Sequence, residues 1–266
     1  MTTSTRVVGD LTCRPMDRPP RSSDAPPRHL STRALAIVAT LSVLAALAFG
    51  IVILHVRSDG QASTLIRVSG LPSSVPTAAA NLMALSPVPN TPAANFSLTD
   101  QRGTTVALDS FRGKAMVLEF FDPHCTDVCP IVSQELVDAY QDLGSARSSV
   151  VFVAVNVNPF HLGVADVEAF STEHDLTSIP SWHFLTGPVP ALQAAWKAYG
   201  VSVDAPSPTA DVHHSDYVYF IDRQGRMRYL GDPTVDHRSN GDSYLPGVQI
   251  GAWGHGIALV ARSLVG

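Results

Sequence analysis

The order of apolar and polar residues divides this chain into four unlike segments. Residues 34–54 form an apolar run that contains no Asp, Glu, Lys, Arg, Asn, Gln or Pro. About 20 apolar residues are needed for a helix to cross a bilayer, so the run predicts a transmembrane helix. The alternative is a cleaved signal peptide, whose apolar region is about 7–15 residues long and is followed by small residues. The run ends instead in His55-Val56-Arg57, which favours a retained anchor.

The flanking segments give this predicted helix its orientation and its context. Residues 1–33 are rich in Pro, Ser and Arg and have too little apolar surface to fold, which indicates a disordered tail. Six arginines precede the span and only Arg57 and Arg67 follow shortly after it, so the positive-inside rule places the N-terminus in the cytoplasm. Residues 55–94 contain several prolines among small residues and are predicted to be a linker, with residues 65–68 and 78–85 as possible short ordered patches. Residues 95–266 have the length of one domain, which would then be extracytoplasmic.

Within residues 95–266 the pattern alternates between strands and helices. A hairpin is predicted at 96–98 and 105–108, and a fully buried strand at 115–121 leads to a helix that begins at Pro130 and ends at Gly144. Further elements are expected as a strand at 149–157, a helix at 164–174, a strand at 182–185, a helix at 189–199, a hairpin at 217–221 and 227–230, and a terminal helix at 251–264. This order predicts an α/β sandwich of thioredoxin type with an N-terminal β-hairpin. Trp182, Trp196 and Trp253 are expected in its core.

The cysteines carry the first chemical signal. Of three, Cys13 lies in the tail, which leaves Cys125 and Cys129 as an isolated pair outside the membrane. They lie where a strand turns into a helix, and the backbone N–H groups and dipole of a helix start favour thiolates. Two neighbouring thiolates select soft ions such as Cu(I). A plain structural disulfide is the alternative, but so small a loop would constrain little.

Charge narrows the possible partners. The formal net charge is −5, and arginines are concentrated in the tail, so the outer part is acidic. Nucleic acid is therefore not expected as a partner.

The segment FSLTDQRGTTVALDSFRGKAMVLEFFDPHCTDVCP, together with HFLTG at 183–187 and HHSDYVYFIDRQG at 213–225, resembles the Sco/SenC family. These are thioredoxin-fold copper chaperones for cytochrome c oxidase, and the resemblance covers roughly residues 95–232. It implies that Cys125, Cys129 and His214 are copper ligands, that copper in the Cu(I) or Cu(II) state is the cargo, and that the protein is a metallochaperone rather than an enzyme. It also implies that the apo-CuA subunit of cytochrome c oxidase is the partner.

This chain departs from the family pattern at two positions near the proposed ligands. Thr126 replaces the usual proline after the first motif cysteine and is compatible with a tight turn, whereas His213 replaces the usual aspartate before the histidine. Because of this second departure, His213 is an alternative to His214 as the third ligand. Either histidine would complete a Cys2His set, which suits both copper oxidation states. His124 is a further candidate, as a ligand or as a neighbour of the ligands. The remaining histidines are interpreted as surface or core residues: His29, His55, His161, His174, His183, His237 and His255.

Asp127, between the two cysteines, is either a loop-orienting Asx residue or a solvated one.

The competing function is a thiol-disulfide oxidoreductase in which Cys125 and Cys129 form the redox-active pair. The C-x3-C spacing, and the lack of a proline directly before the strand at Tyr217, favour copper binding. Because ligand cysteines must be reduced before Cu(I) binds, a thiol reductant is an expected partner. Delivery of copper, reduction of the acceptor's cysteines and redox sensing would use the same residues.

Overall fold

A computed structural model describes residues 67–266 of the chain. The predicted tail (1–33) and transmembrane helix (34–54) lie outside the described residues. In chain order the elements are α1 (Thr77–Leu82), β1 (Ser86–Pro87), β2 (Ser97–Thr99), β3 (Thr105–Ala107), β4 (Ala115–Phe121), α2 (Val128–Asp142), β5 (Val150–Asn156), α3 (Val164–Glu173), β6 (Trp182–Leu185), α4 (Val189–Tyr199), β7 (Val203–Asp204), β8 (His213–His214), β9 (Val218–Ile221), β10 (Met227–Gly231), β11 (Asp236–His237), β12 (Ser243–Tyr244) and α5 (Gly247–Ser263).

Strands β4 and β5 form the centre of a six-stranded mixed sheet. All seven residues of each strand are buried, as expected of strands covered on both faces. The strand order is β1-β10-β9-β4-β5-β6, with β4, β5 and β6 parallel and the other pairings antiparallel. Strands β2 and β3 pair separately as the predicted hairpin. The alternating pattern of the sequence therefore predicted the architecture of an α/β sandwich.

Alternation of side chains along β4 sends its residues into two separate cores. Val117 and Phe121 face a core that also contains Leu136 of α2 and Ile257 of α5. Leu118 faces the other core, to which α4 and the β2–β3 hairpin contribute. The three predicted core aromatics are confirmed, since Trp182, Trp196 and Trp253 are 0%, 7% and 1% exposed.

The folded part of the chain begins earlier than predicted. The sequence predicts a linker over residues 55–94, but the described part of that segment contains α1 and β1, and β1 pairs with β10 at the edge of the sheet. Val75, Met83 and Leu85 are at most 1% exposed and belong to the core. The sequence indicates residues 78–85 only as a possible short ordered patch, because the apolar run between Pro76 and Pro87 is too short to establish a helical or strand periodicity.

Helix α2 begins at Val128, two residues before the predicted start at Pro130. Proline is tolerated in the first turn of a helix because the N–H it lacks would have no partner within the helix there. Cys129 is thus part of the helix itself. Among residues 67–266, no helix is both long and apolar enough to cross a membrane.

Helices α2 and α5 pack closely at Gly254. A Cβ atom at this position would lie 2.6 Å from the Cβ of Asp138 and 2.8 Å from the carbonyl oxygen of Glu135. Both distances are too short for a carbon contact, and the second neighbour is backbone that cannot rotate away. The glycine therefore sets the separation of the two helices on the face of the sheet that carries the cysteines.

We expect Gly254→Ala to destabilise the domain by about 1–3 kcal/mol, because the added methyl group forces the two helices apart. The matched control is Gly251→Ala on the same helix, where a Cβ would meet nothing within 4 Å. The control should stabilise the helix by about 0.5–1 kcal/mol. Chemical denaturation of both variants measures the difference, and equal stability of the two would show that Gly254 does not set the helix separation.

Candidate metal centre

The two motif cysteines lie at the junction of β4 and α2. Cys125 is in the loop that follows β4 and is half-buried, whereas Cys129 is in the first turn of α2 and only 3% exposed. Both are unpaired thiols. The backbone N–H of Cys129 points at the Sγ atom of Cys125, with 3.4 Å between nitrogen and sulfur. The first turn of α2 thus offers a backbone hydrogen-bond donor to the sulfur of Cys125, which precedes the helix.

The loop that carries Cys125 is held by Asp122. Its backbone carbonyl accepts a hydrogen bond from the N–H of Cys125 at 3.1 Å. Its carboxylate Oδ1, which is buried, accepts bonds from the N–H of His124 and the Nδ2 of Asn158, both at 2.9 Å. Asp122 thereby ties this loop to the loop after β5.

The two thiols differ strongly in acidity. The pKa of Cys125 is lowered to about 7, chiefly because the Cys129 thiol donates a hydrogen bond to its sulfur; nearby backbone N–H groups add to this, while burial opposes it. The pKa of Cys129 is raised well above its usual value, first because its proton is held against the Cys125 sulfur and then because it is fully buried. Near neutral pH one thiolate and one thiol therefore share a proton across the pair.

The two adjacent histidines form strand β8, which pairs with β7. Neighbouring residues on a strand point to opposite sides, and here His213 is exposed while the side chain of His214 is only 8% exposed. The Nδ1 atom of His214 lies 3.1 Å from both Asp216 Oδ1 and the carbonyl oxygen of Ser215. Because both neighbours are acceptors, the neutral form of the ring carries its proton on Nδ1, which leaves the lone pair on Nε2.

Cys125, Cys129 and His214 line one pocket of about 740 Å³. The described residues around it include five aspartates and one arginine: Asp122, Asp127, Asp211, Asp216, Asp242 and Arg238. This balance of charge favours a cation. His213 also lines the pocket, whereas His124 does not. The three predicted ligands thus share a pocket, but they are not among the described groups whose donor atoms all lie within 4.8 Å, so coordinating one ion requires them to move closer.

Asp127 forms a contact that sequence reasoning missed. Its carboxylate accepts hydrogen bonds from the N–H and the hydroxyl of Ser243, both at 2.8 Å. Ser243 is on the β11–β12 hairpin, which forms one wall of the pocket. The two residues are 116 positions apart, so no local pattern could have predicted the pair. The two interpretations of Asp127, a local Asx turn and a solvated loop residue, are thus both replaced by a hydrogen-bonded link to a distant hairpin.

Glu119 is a buried carboxyl group near Cys129 and His214. It lines a small cavity together with Cys129 and His214, and its Oε1 atom has no hydrogen-bond partner among the described residues. Burial, followed by the negative charges of Glu135 and Asp216, raises its pKa well above the usual value. This environment therefore favours the neutral, protonated form of the Glu119 carboxyl group.

Of the other histidines, His29 and His55 lie outside the described residues. His183 is packed near the first hairpin, with Nδ1 3.1 Å from Asp100, and His255 forms a surface pair with Asp142 at 2.7 Å. These contacts agree with their interpretation as surface or core residues. His161 differs from that interpretation, because its ring stacks on that of His124 next to Asp166.

We expect iodoacetamide to alkylate Cys125 with a rate that rises through a midpoint at about pH 7, while buried Cys129 stays unmodified. Cys129→Ala removes the hydrogen bond that stabilises the thiolate and should move the midpoint towards the ordinary thiol value of about 8.5. Peptide mapping by mass spectrometry over a pH series gives both rates. A midpoint that is already at the ordinary value in the parent protein, or equal modification of both cysteines, would contradict the acidity difference.

Fold and site together define a thioredoxin-like domain with a C-x3-C thiol pair at its first long helix. The family model for SCO1/SenC matches residues 87–240, which is more than half of the chain. The chain therefore belongs to the SCO1/SenC family, as its motifs indicated.

Individual relatives are distant in sequence. The SCO1 protein homolog of Bacillus subtilis (strain 168) is 24% identical over 134 residues, which are 50% of this chain and 69% of that protein. ScoI of Bradyrhizobium japonicum, solved with copper bound, is 21% identical with a TM-score of 0.50, over 65% of this chain and 99% of that one. ScoI of Arabidopsis thaliana, also solved with copper bound, is 22% identical with a TM-score of 0.50, over 64% of this chain and 98% of that one. These similarities confirm the thioredoxin-like fold.

Proposed function

We propose that this protein is a membrane-anchored, extracytoplasmic copper-binding protein that holds copper on Cys125, Cys129 and His214. The observation that carries the proposal is the meeting of two reduced thiols and a buried imidazole in one acidic pocket. Two sulfurs and one imidazole nitrogen form a soft, three-coordinate donor set suited to Cu(I). The two ScoI structures solved with copper bound share this fold and support the same cargo for this chain.

The residues around the ligands support binding in a defined order. Cys125 supplies a thiolate near neutral pH, so it is the first ligand, and its half-buried sulfur is the one an incoming ion or donor protein can reach. Cys129 must lose its proton as it becomes a ligand, so loading releases protons and becomes tighter as pH rises. Asp216 and the Ser215 carbonyl hold Nδ1 of His214, which keeps Nε2 available as the third donor.

The copper is delivered to, or used to mature, the CuA site of cytochrome c oxidase, as the resemblance to Sco/SenC proteins implies. Transfer by ligand exchange suits a site with one accessible sulfur, because an acceptor thiolate can displace Cys125 while Cys129 and His214 still hold the ion. A thiol reductant is needed to return the pair to the dithiol form after oxidation.

Anaerobic Cu(I) titration of the full chain against a chromophoric competitor tests the site. We expect one copper per chain in the parent, loss of binding in Cys125→Ser and Cys129→Ser, and affinity at least about tenfold weaker in His214→Ala. The matched control is His213→Ala, which removes the adjacent, exposed histidine and should leave the affinity unchanged.

Two results would change the assignment. Weaker binding in His213→Ala with an unchanged His214→Ala would move the third ligand to His213. No copper binding, together with rapid reduction of insulin disulfides by the parent, would replace the proposal with a thiol-disulfide oxidoreductase, whose attacking thiolate would be Cys125.

The predicted topology is tested by the chain's own cysteines. In right-side-out membrane vesicles, a membrane-impermeant maleimide should modify Cys125 and leave Cys13 unmodified until detergent is added, because Cys13 precedes the predicted span. Removal of residues 34–54 should release the protein from the membrane. Modification of Cys13 before detergent, or its absence from the mature protein, would contradict an N-terminus retained in the cytoplasm.

A further inference from the structure

We propose that His124, His161 and Asp166 form a second metal site, which binds a divalent transition-metal ion of the Zn(II) or Cu(II) type. Cys125 and Thr126 line both the thiol pocket and the pocket beside these three residues, so the loop that carries Cys125 is shared by the two. Each residue offers one ligand atom, and the three atoms all lie within 4.8 Å of one another. It is the one group of three or more such side chains found at these distances among residues 67–266. The proposal is independent of copper binding by the thiol pair.

The distances fit a small, directional ion. The Nε2 atom of His124 is 3.3 Å from Oδ1 of Asp166. Two ligand atoms of a tetrahedral ion with bonds of about 2.0–2.1 Å are separated by about 3.3 Å. Two imidazoles and one carboxylate form a borderline donor set that suits Zn(II) and Cu(II) and differs from the soft set of the thiol pocket. Water would complete the coordination sphere, because the site is open to solvent.

The backbone around this site is held by a buried polar network. Asp122 accepts bonds from the N–H of His124 and the side chain of Asn158, so the two loops that carry the histidines are joined. The backbone of His161 is held at both ends: its N–H donates to Oδ1 of Asn158 at 3.2 Å, and its carbonyl oxygen accepts from Nδ2 of Asn156 at 2.7 Å. Asp122, Asn156 and Asn158 are at most 5% exposed. Buried residues therefore position two surface histidines, which is how metal sites are preorganised.

The carboxylate is also oriented for a ligand. Asp166 lies in the first turn of α3, and its Oδ2 atom accepts the N–H of Gly163 at 2.9 Å. This bond leaves Oδ1 directed towards His124. The adjacent pocket of about 360 Å³ is lined by Asp166 and Glu173, and no lysine or arginine is among its described lining residues. The local charge therefore favours a cation.

Binding requires a small rotation of the rings. The rings of His124 and His161 are stacked, with centroids 3.6 Å apart and planes 26° apart. An ion bonded to both rings must lie near the plane of each, so the rings have to splay. The side chain of His124 is 47% exposed and has room to turn.

Zinc titration by isothermal calorimetry tests the site, using the full chain with Cys125→Ser and Cys129→Ser so that the thiols do not compete. We expect one zinc ion per chain, and affinity weaker by about tenfold or more in each of His161→Ala and Asp166→Asn on this background. Asparagine keeps an oxygen that can accept the Gly163 N–H, so the helix start is preserved. The matched control is His255→Ala, because His255 forms an exposed pair with Asp142 that lacks a third donor at such a distance among the described residues.

The Cu(II) electron paramagnetic resonance spectrum of the same protein supplies a second readout. Hyperfine coupling to two imidazole nitrogens is expected, falling to one in His161→Ala. Unchanged zinc affinity in His161→Ala and Asp166→Asn would overturn the proposal and leave a simple His124–Asp166 ion pair. Loss of zinc binding in His214→Ala alone would also overturn it, by placing the ion in the thiol pocket. Since the thiols are absent, neither result alters the expectation for Cu(I).

Discussion

The rest of the site depends on the hydrogen bonds by which Asp122 holds the loop between β4 and α2. This residue directly follows the central strand, and its buried carboxylate and its carbonyl fix the backbone of His124 and Cys125. The loop is therefore an extension of the rigid sheet. The thiol of Cys125 is held against the start of α2, and the ring of His124 is directed to the other side of the loop. Asp122 thus fixes the backbone of Cys125 and of His124, which belong to two different sets of potential metal donors.

The electrostatics of the thiol pocket follow from this placement. Cys129 is buried in the helix and keeps its proton, whereas Cys125 is half-buried, accepts that proton in a hydrogen bond and ionises first. Burial raises the pKa of Glu119, which lines a small cavity with Cys129 and His214, and so disfavours a negative charge next to the thiol pair. The pocket is lined by five aspartates and one arginine, and this balance of charge makes it attractive to cations. The same features would serve disulfide exchange, and His214 is the residue that distinguishes a metal site from a plain dithiol.

The walls of the pocket come from distant parts of the chain. The β7–β8 ladder buries the side chain of His214 and leaves the adjacent His213 exposed. The bond from Asp127 to Ser243 brings the β11–β12 hairpin against the cysteine loop. Helix α2, which carries Cys129, packs closely against α5 at Gly254. A change at any of these contacts would alter the pocket without touching a donor atom.

The sequence by itself determined the fold class, the central strand at its exact bounds, the cysteines at a strand-to-helix turn and the family, because these depend on local periodicity and on a motif of close residues. Only the tertiary structure decided that Val75, Met83 and Leu85 belong to the core, that His214 is buried while His213 is exposed, and that His124, His161 and Asp166 meet. His124 and Asp166 are 42 positions apart. Their proximity arises from the parallel pairing of β4 and β5, which places the loops after both strands at one edge of the sheet, and no spacing along the chain encodes that.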